Sequence, residues 1–150
     1  HDPYILPDPA PGAAALMAHF ADERAGRNLP PGFIPSTTYW ITDGTRWLGT
    51  CNLRTTLSPI LRVWGGQIGY VVRPSARGRG LGKFAARALL MEAAKAGCAE
   101  VLATCEVANA ASRTILEGLP VIRREEAQAM VRGALRPILR LWIDCRTART

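Results

Sequence analysis

Arg77-Gly78-Arg79-Gly80-Leu81-Gly82-Lys83 sets three glycines at alternate positions among two arginines and a lysine. Glycines spaced in this way let backbone N–H groups approach an anion, and a helix starting just after them adds unpaired N–H donors and the positive end of its dipole. The chemistry is phosphate binding. An apolar stretch, 67–73, leads into the loop and bends at Pro74. After it, Leu81, Phe84, Ala85, Ala88 and Leu89 recur at i, i+3, i+4, i+7 and i+8, the period of a helix packed on a sheet, and Gly97 is placed to stop that helix.

Spacing separates the kinds of phosphate loop. A Walker loop needs a glycine five residues before its Gly-Lys pair and a Ser or Thr after it; those places hold Arg77 and Phe84, so no magnesium-binding hydroxyl is present. A dinucleotide fingerprint needs its third glycine where Lys83 stands, and no repeated βαβ pattern surrounds it.

Other residue types exclude more than they offer. Cys51, Cys98, Cys105 and Cys145 are far apart, with no C-x-x-C pair and no nearby His, which points to buried reduced thiols rather than a metal or redox site. His19 falls on an apolar helical face and reads as a core or boundary residue. The net charge of +7 rests almost entirely on arginines spread along the chain, which favours anionic ligands. There is no basic block interleaved with aromatics of the kind that marks a nucleic-acid surface. No apolar run approaches the ~20 residues of a membrane span.

The elements around the loop follow from length and pattern. One domain is expected from 150 residues with 48% hydrophobic and 21% charged side chains. Residues 1–11 read as an extended lead-in and 12–27 as a helix with Ala15, Leu16, His19 and Phe20 on its apolar face. The stretch 28–36 is a loop, and 37–42 with 45–53 form a hairpin about Asp43-Gly44. Residues 54–64 read as an irregular connection containing Ser58-Pro59. Trp40, Trp47, Trp64 and Tyr39 are candidates for lining a pocket, although aromatics in strands more often pack in cores. After the helix, 100–105 is a strand expected beside the loop strand and parallel to it. A short helix follows over 108–117, then a strand region over 121–131 interrupted by charges, a turn at Gly133 and a last strand over 138–143. The fold class is α+β.

With its strand end Val72-Arg73-Pro74 and its helix, the segment Arg77-Gly78-Arg79-Gly80-Leu81-Gly82 resembles motif A of the GCN5-related N-acetyltransferases (GNAT). A second block at the right separation is similar too: strand 101–106, then Asn109-Ala110-Ala111-Ser112 opening a helix. The likeness covers 37–143, and Pro35-Ser36-Thr37-Thr38-Tyr39-Trp40 and Gly65-Gly66-Gln67-Ile68-Gly69-Tyr70 resemble a bacterial subgroup of predicted acetyltransferases. The family's first strand is not identifiable within 1–36.

That resemblance implies a mostly antiparallel mixed sheet with one splayed parallel strand pair, flanked by helices. It implies a cytoplasmic bacterial enzyme that takes acetyl-CoA as co-substrate, uses no metal, and acetylates an amine on a small molecule or peptide, by direct attack in a ternary complex. Family members often dimerise through their last strands. Val71 and Val72 would meet the pantetheine arm, and backbone N–H groups of Arg77, Gly78, Arg79, Gly80, Leu81 and Gly82 the pyrophosphate, with Lys83, Arg73 and Arg113 as further cationic candidates. The Val72 N–H would stabilise the oxyanion. Asn109 and Ser112 match positions that touch the pantetheine or lie near its thiol, and Asn109 is equally suited to capping the helix.

Where many members carry a tyrosine that protonates the departing thiolate, this chain has Leu116. Tyr70 and Ser112 are the nearest alternatives for that task, and Glu106 at the strand end is the candidate base. The family's usual Gly-Phe after the last helix is replaced by Leu119-Pro120-Val121. A CoA-binding regulatory module without turnover, and a basic nucleic-acid-binding domain, are the competing expectations.

Overall fold

The computed structural model describes residues 12–149, so the lead-in expected over 1–11 lies outside the described residues. Among the described residues there are four α-helices and six strands. None of these helices is long and apolar enough to cross a membrane.

Helix α1 (Ala13–Ala25) ends at Gly26, whose φ of 73° turns the chain out of the helix. It buries no side chain, which corrects the expected apolar face. Ala15 and His19 are exposed. The contacts of α1 are lateral: Phe20 meets Trp40 edge-on at 6.5 Å, and the two help to line a groove of about 240 Å³ between α1 and the first strand.

Strands β1 (Thr37–Thr42) and β2 (Trp47–Leu53) form the expected antiparallel hairpin. Its turn is held by Asp43 Oδ1, which accepts from the N–H groups of Thr45 and Arg46, and those bonds hold the Asp43 carboxyl well below the usual range. The connection that follows is not wholly irregular. It contains a short helix, α2 (Pro59–Val63), with Ser58 Oγ accepting from Leu61 N and Pro59 in the first turn. Ser-Pro here is a cap followed by a first-turn position whose N–H would have no intrahelical acceptor.

Strand β3 (Ile68–Val72) pairs with β2, and a single 3-10 turn over Pro74–Ala76 leads through the glycine loop into α3 (Leu81–Lys95). The buried stripe of α3 is Ala85, Ala86, Leu89, Leu90, Ala93 and Ala94. Phe84 is 63% exposed, so the core face lies further round the helix than the i, i+3, i+4 series from Leu81 implies. Two overlapping series fit that spacing. The alanine-rich one is preferred because it repeats for a further turn and lets the helix lie close on the strands.

Strand β4 (Glu100–Glu106), helix α4 (Ala110–Glu117) and the hairpin of β5 (Val121–Val131) and β6 (Ala134–Asp144) complete the fold. Arg132 and Gly133, at φ 50° and 80°, make the tight turn between β5 and β6. Strand β6 begins four residues before the expected 138. Pro137 stands opposite Val107, whose N–H donates to the Pro137 carbonyl at 3.0 Å, and the return bond that proline cannot make is replaced by Arg113, which donates to Val107 O at 3.2 Å.

Two three-stranded sheets result, β1-β2-β3 and β4-β6-β5. Helix α3 lies over both, joining Ile41, Cys51, Leu53 and Ile68 to Val101, Ala103, Cys105, Leu139, Leu141 and Ile143 in one core. On the opposite face Trp64 and Ala127 pack against Ala129, Val131 and Ile138.

Candidate active site

Gln67, just before β3, ties the two sheets together. Gln67 N donates to Leu102 O at 2.7 Å, and Gln67 Oε1 accepts from Leu102 N at 2.9 Å. Its Nε2 donates to Arg54 O at 3.3 Å and its carbonyl accepts from Arg54 N at 2.8 Å. With both ends of this buried amide engaged, Gln67 closes the base of the gap between β3 and β4. Beyond it the strands diverge, and their C-terminal ends lie on the same side, where Tyr70 of β3 meets Ser112 just after β4. This is the splayed parallel pair.

Ladder parity decides which backbone groups face the gap. Arg73 N donates to Leu48 O at 2.8 Å and Gln67 O is bonded to β2, so Gly69, Val71 and Arg73 turn their backbone polar groups toward β2. Those of Ile68, Tyr70 and Val72 point the other way, toward β4. The Val72 N–H therefore stands on the open edge, whereas the Val71 N–H and carbonyl are committed to β2. Of Val71, expected to meet the pantetheine arm, only the side chain, on the face away from α3, is left for a ligand.

At the mouth of the gap Arg77 Nε donates to Val72 O at 3.0 Å and pins the loop to the strand end. Gly78 and Gly80 have φ of 75° and 78°, and a Cβ on either would meet nothing within 4 Å. The space beside them is open. Gly80 is the N-cap of α3 with no side-chain cap, and no acidic residue occupies the first turn. The N–H groups of Leu81, Gly82 and Lys83 thus have no intrahelical acceptor. Arg79 and Lys83 are exposed beside them. Arg73 and Arg113 are engaged elsewhere, donating to Trp47 O at 3.1 Å and to Val107 O at 3.2 Å. The open cradle, its free donors and the surrounding cations suit a diphosphate.

On the far wall, Asn109 Oδ1 accepts from Ser112 N at 3.1 Å and caps α4, which leaves its Nδ2 for another partner. Tyr70 Oη and Ser112 Oγ share a hydrogen bond of 3.1 Å in which either can donate. On neighbouring β4, burial pushes the Cys105 thiol up in pKa. Glu106 lies on the opposite face of β4 from Cys105, since side chains alternate along a strand, and its Oε1 is 4.0 Å from Arg136 Nε. Leu116 is 2% exposed and belongs to the core.

Two residues that shape the site carry no role in the sequence reading. Gln67 is one. Gly49 is the other: a Cβ there would collide with Val71 O, so only glycine lets β2 and β3 approach at the level of Val72. A buried amide preceded by Gly65-Gly66, and a glycine inside a strand, are the signals that mark them.

The sequence profile of the acetyltransferase (GNAT) domain matches residues 7–119. The chain belongs to the GNAT acetyltransferase family. As a GNAT acetyltransferase it is an acyltransferase, and solved relatives share its fold. A putative acetyltransferase from Salmonella typhimurium, solved with its cofactor acetyl-CoA, superposes with a TM-score of 0.62 at 18% identity over 94% of this chain and 78% of its own. A ribosomal-protein-alanine N-acetyltransferase from Brucella melitensis gives 0.60 at 16% over 87% and 76%. A chimera of the spermidine N-acetyltransferase from Vibrio cholerae gives 0.58 at 12% over 77% and 70%. Among curated proteins none matches this GNAT sequence significantly.

Proposed function

We propose that this chain transfers the acetyl group of acetyl-CoA to an amine, on a small molecule or a peptide, by direct attack within a ternary complex. The observation that carries this reading is the uncapped, acid-free start of α3, with open space at Gly78 and Gly80, at the mouth of a gap whose β3 edge is unpaired with β4. Acetyl-CoA supplies a thioester carbonyl, activated toward nucleophiles.

The chain's own residues divide the work. Backbone N–H groups from Arg77 to Gly82 hold the pyrophosphate, with Arg79 and Lys83 adding charge. Asn109 Nδ2, free of the cap, serves the pantetheine. The Val72 N–H stabilises the developing oxyanion, a donor of a kind whose loss costs about 3 kcal/mol of barrier. Glu106, on the face away from α3, takes the proton of the attacking amine directly or through water. The acceptor then approaches from the face that also carries Val71 and Trp40.

The relatives' names supply two acceptor classes, spermidine and the alanine of a ribosomal protein. A panel of polyamines and of peptides with free N-termini, with CoA thiol release as the readout, tests the proposal. Release above background with at least one class is expected, lowered more than tenfold in Glu106→Gln. CoA binding without release across both classes contradicts turnover and favours a binding module, the reading that Leu116 in the acid's place would support.

A further inference from the structure

We infer that Tyr70 is the proton donor to the departing CoA sulfur and that Ser112 is its positioning residue. The inference deepens the proposed acetyl transfer and rests on it. At the place where the family resemblance sets an acid, Leu116 is 2% exposed in the core, and nothing on that side chain titrates. The Tyr70–Ser112 hydrogen bond of 3.1 Å bridges β3 and α4, the two walls of the gap near its mouth.

Tyr70 is held from three sides. Its ring carbons lie 3.7 and 3.8 Å from the position of a Cβ on Gly82, so the first turn of α3 sits against it. Ile115 Cδ1 lies 2.8 Å from that same position, which places the second turn of α4 at the ring's flank. Ser112 fixes the hydroxyl. Tyr70 also shares the open edge of β3 with Val72, two residues or roughly 7 Å along the strand. Its side chain is on the α3 face, and Glu106 is on the opposite face of β4. Proton removal from the amine and proton delivery to the sulfur are therefore assigned to opposite sides of the gap.

Tyr70 gives its Oη proton to sulfur while the carbonyl carbon–sulfur bond breaks and its electron pair moves onto sulfur. Ser112 Oγ–H reprotonates the tyrosine oxygen and recovers its own proton from water. The proton lost by the amine leaves separately through Glu106, so one thioester and one amine yield one amide and one thiol. The charged and titratable groups near the pair include Cys105 on β4, Arg113 and Glu117 on α4, and Arg124 on β5.

The test compares the wild-type chain with Tyr70→Phe and Ser112→Ala, both small enough changes to keep the fold. Tyr70→Phe is expected to lower kcat about 100-fold, the scale of a lost general acid, with KM for acetyl-CoA moving less than about threefold. Ser112→Ala is expected to lower kcat about tenfold. A second readout needs no turnover: the thiolate absorbance of bound CoA, followed against pH. A hydroxyl donating to sulfur favours the thiolate, so the bound thiol of Tyr70→Phe is expected to ionise about half a unit higher than that of the wild type. Unchanged kcat together with an unchanged thiol titration in Tyr70→Phe overturns the donor and leaves acetyl transfer standing. A wild-type chain that releases no CoA overturns both.

Discussion

At the scale of single residues, Gln67 shows how one side chain sets the geometry of a site it does not touch. Its amide is the joint between β3 and β4, and both strands are free to diverge only because the amide satisfies Leu102 N–H and Arg54 O where they part. Gln67→Leu leaves the Leu102 N–H buried without its acceptor, a cost of about 1–3 kcal/mol. Chemical denaturation is expected to show that loss, together with weaker CoA binding. Stability unchanged within error would mean that the joint lies elsewhere. The buried thiols make a second prediction. Burial raises Cys51 and Cys145 from 9.0 to about 11 in the fold. The unfolded chain therefore sheds these protons first, so their contribution to stability is intact below about pH 9 and is lost as the pH rises toward 11. Denaturation midpoints should fall over that window, and Cys51→Ala with Cys145→Ala should flatten the fall.

At the scale of elements, α3 has two jobs at its two ends. Its N-terminus is left uncapped, and its Ala/Leu stripe joins the two sheets into one core. Leu89→Ala, at a position 1% exposed, is expected to cost about 2–5 kcal/mol, whereas Phe84→Ala, at 63% exposure, should stay within about 0.5 kcal/mol. Equal losses, measured by denaturant titration, would restore the face that the sequence spacing suggests. The glycine loop, the start of α3, the β1–β2 hairpin and the cap at Asn109 were legible because each depends on local backbone chemistry. The stripe of α3 was legible only in part: Ala85 and Leu89 are buried as their spacing implies, but Phe84 fits the same period and only the sheets beneath leave it outside. Helix α1 misled for a related reason: Leu16 and Phe20 are apolar at helical spacing, but no layer covers them fully. The parity that separates Val72 from Val71 depends on pairing with Leu48 and Thr50, which no local pattern encodes.

For the whole molecule, the two sheets form one core beneath α3 and part above Gln67, so the site is a consequence of how the halves are joined. A ligand lying in that gap touches β3, the loop, α3 and α4 together, and binding should stabilise the whole fold, by about 2.7 kcal/mol at a ligand concentration 100 times its Kd. Arg77 holds the mouth of the gap and Gly80 opens the cradle, without either being needed to fill the core. Calorimetric titration of the purified chain with acetyl-CoA, beside Gly80→Glu, tests this most directly. Saturable heat is expected for the wild type and its loss in Gly80→Glu, where a carboxylate stands in the pyrophosphate's place while the circular dichroism spectrum stays native. No heat from the wild type at hundreds of micromolar ligand, or equal binding by a folded Gly80→Glu, would contradict it.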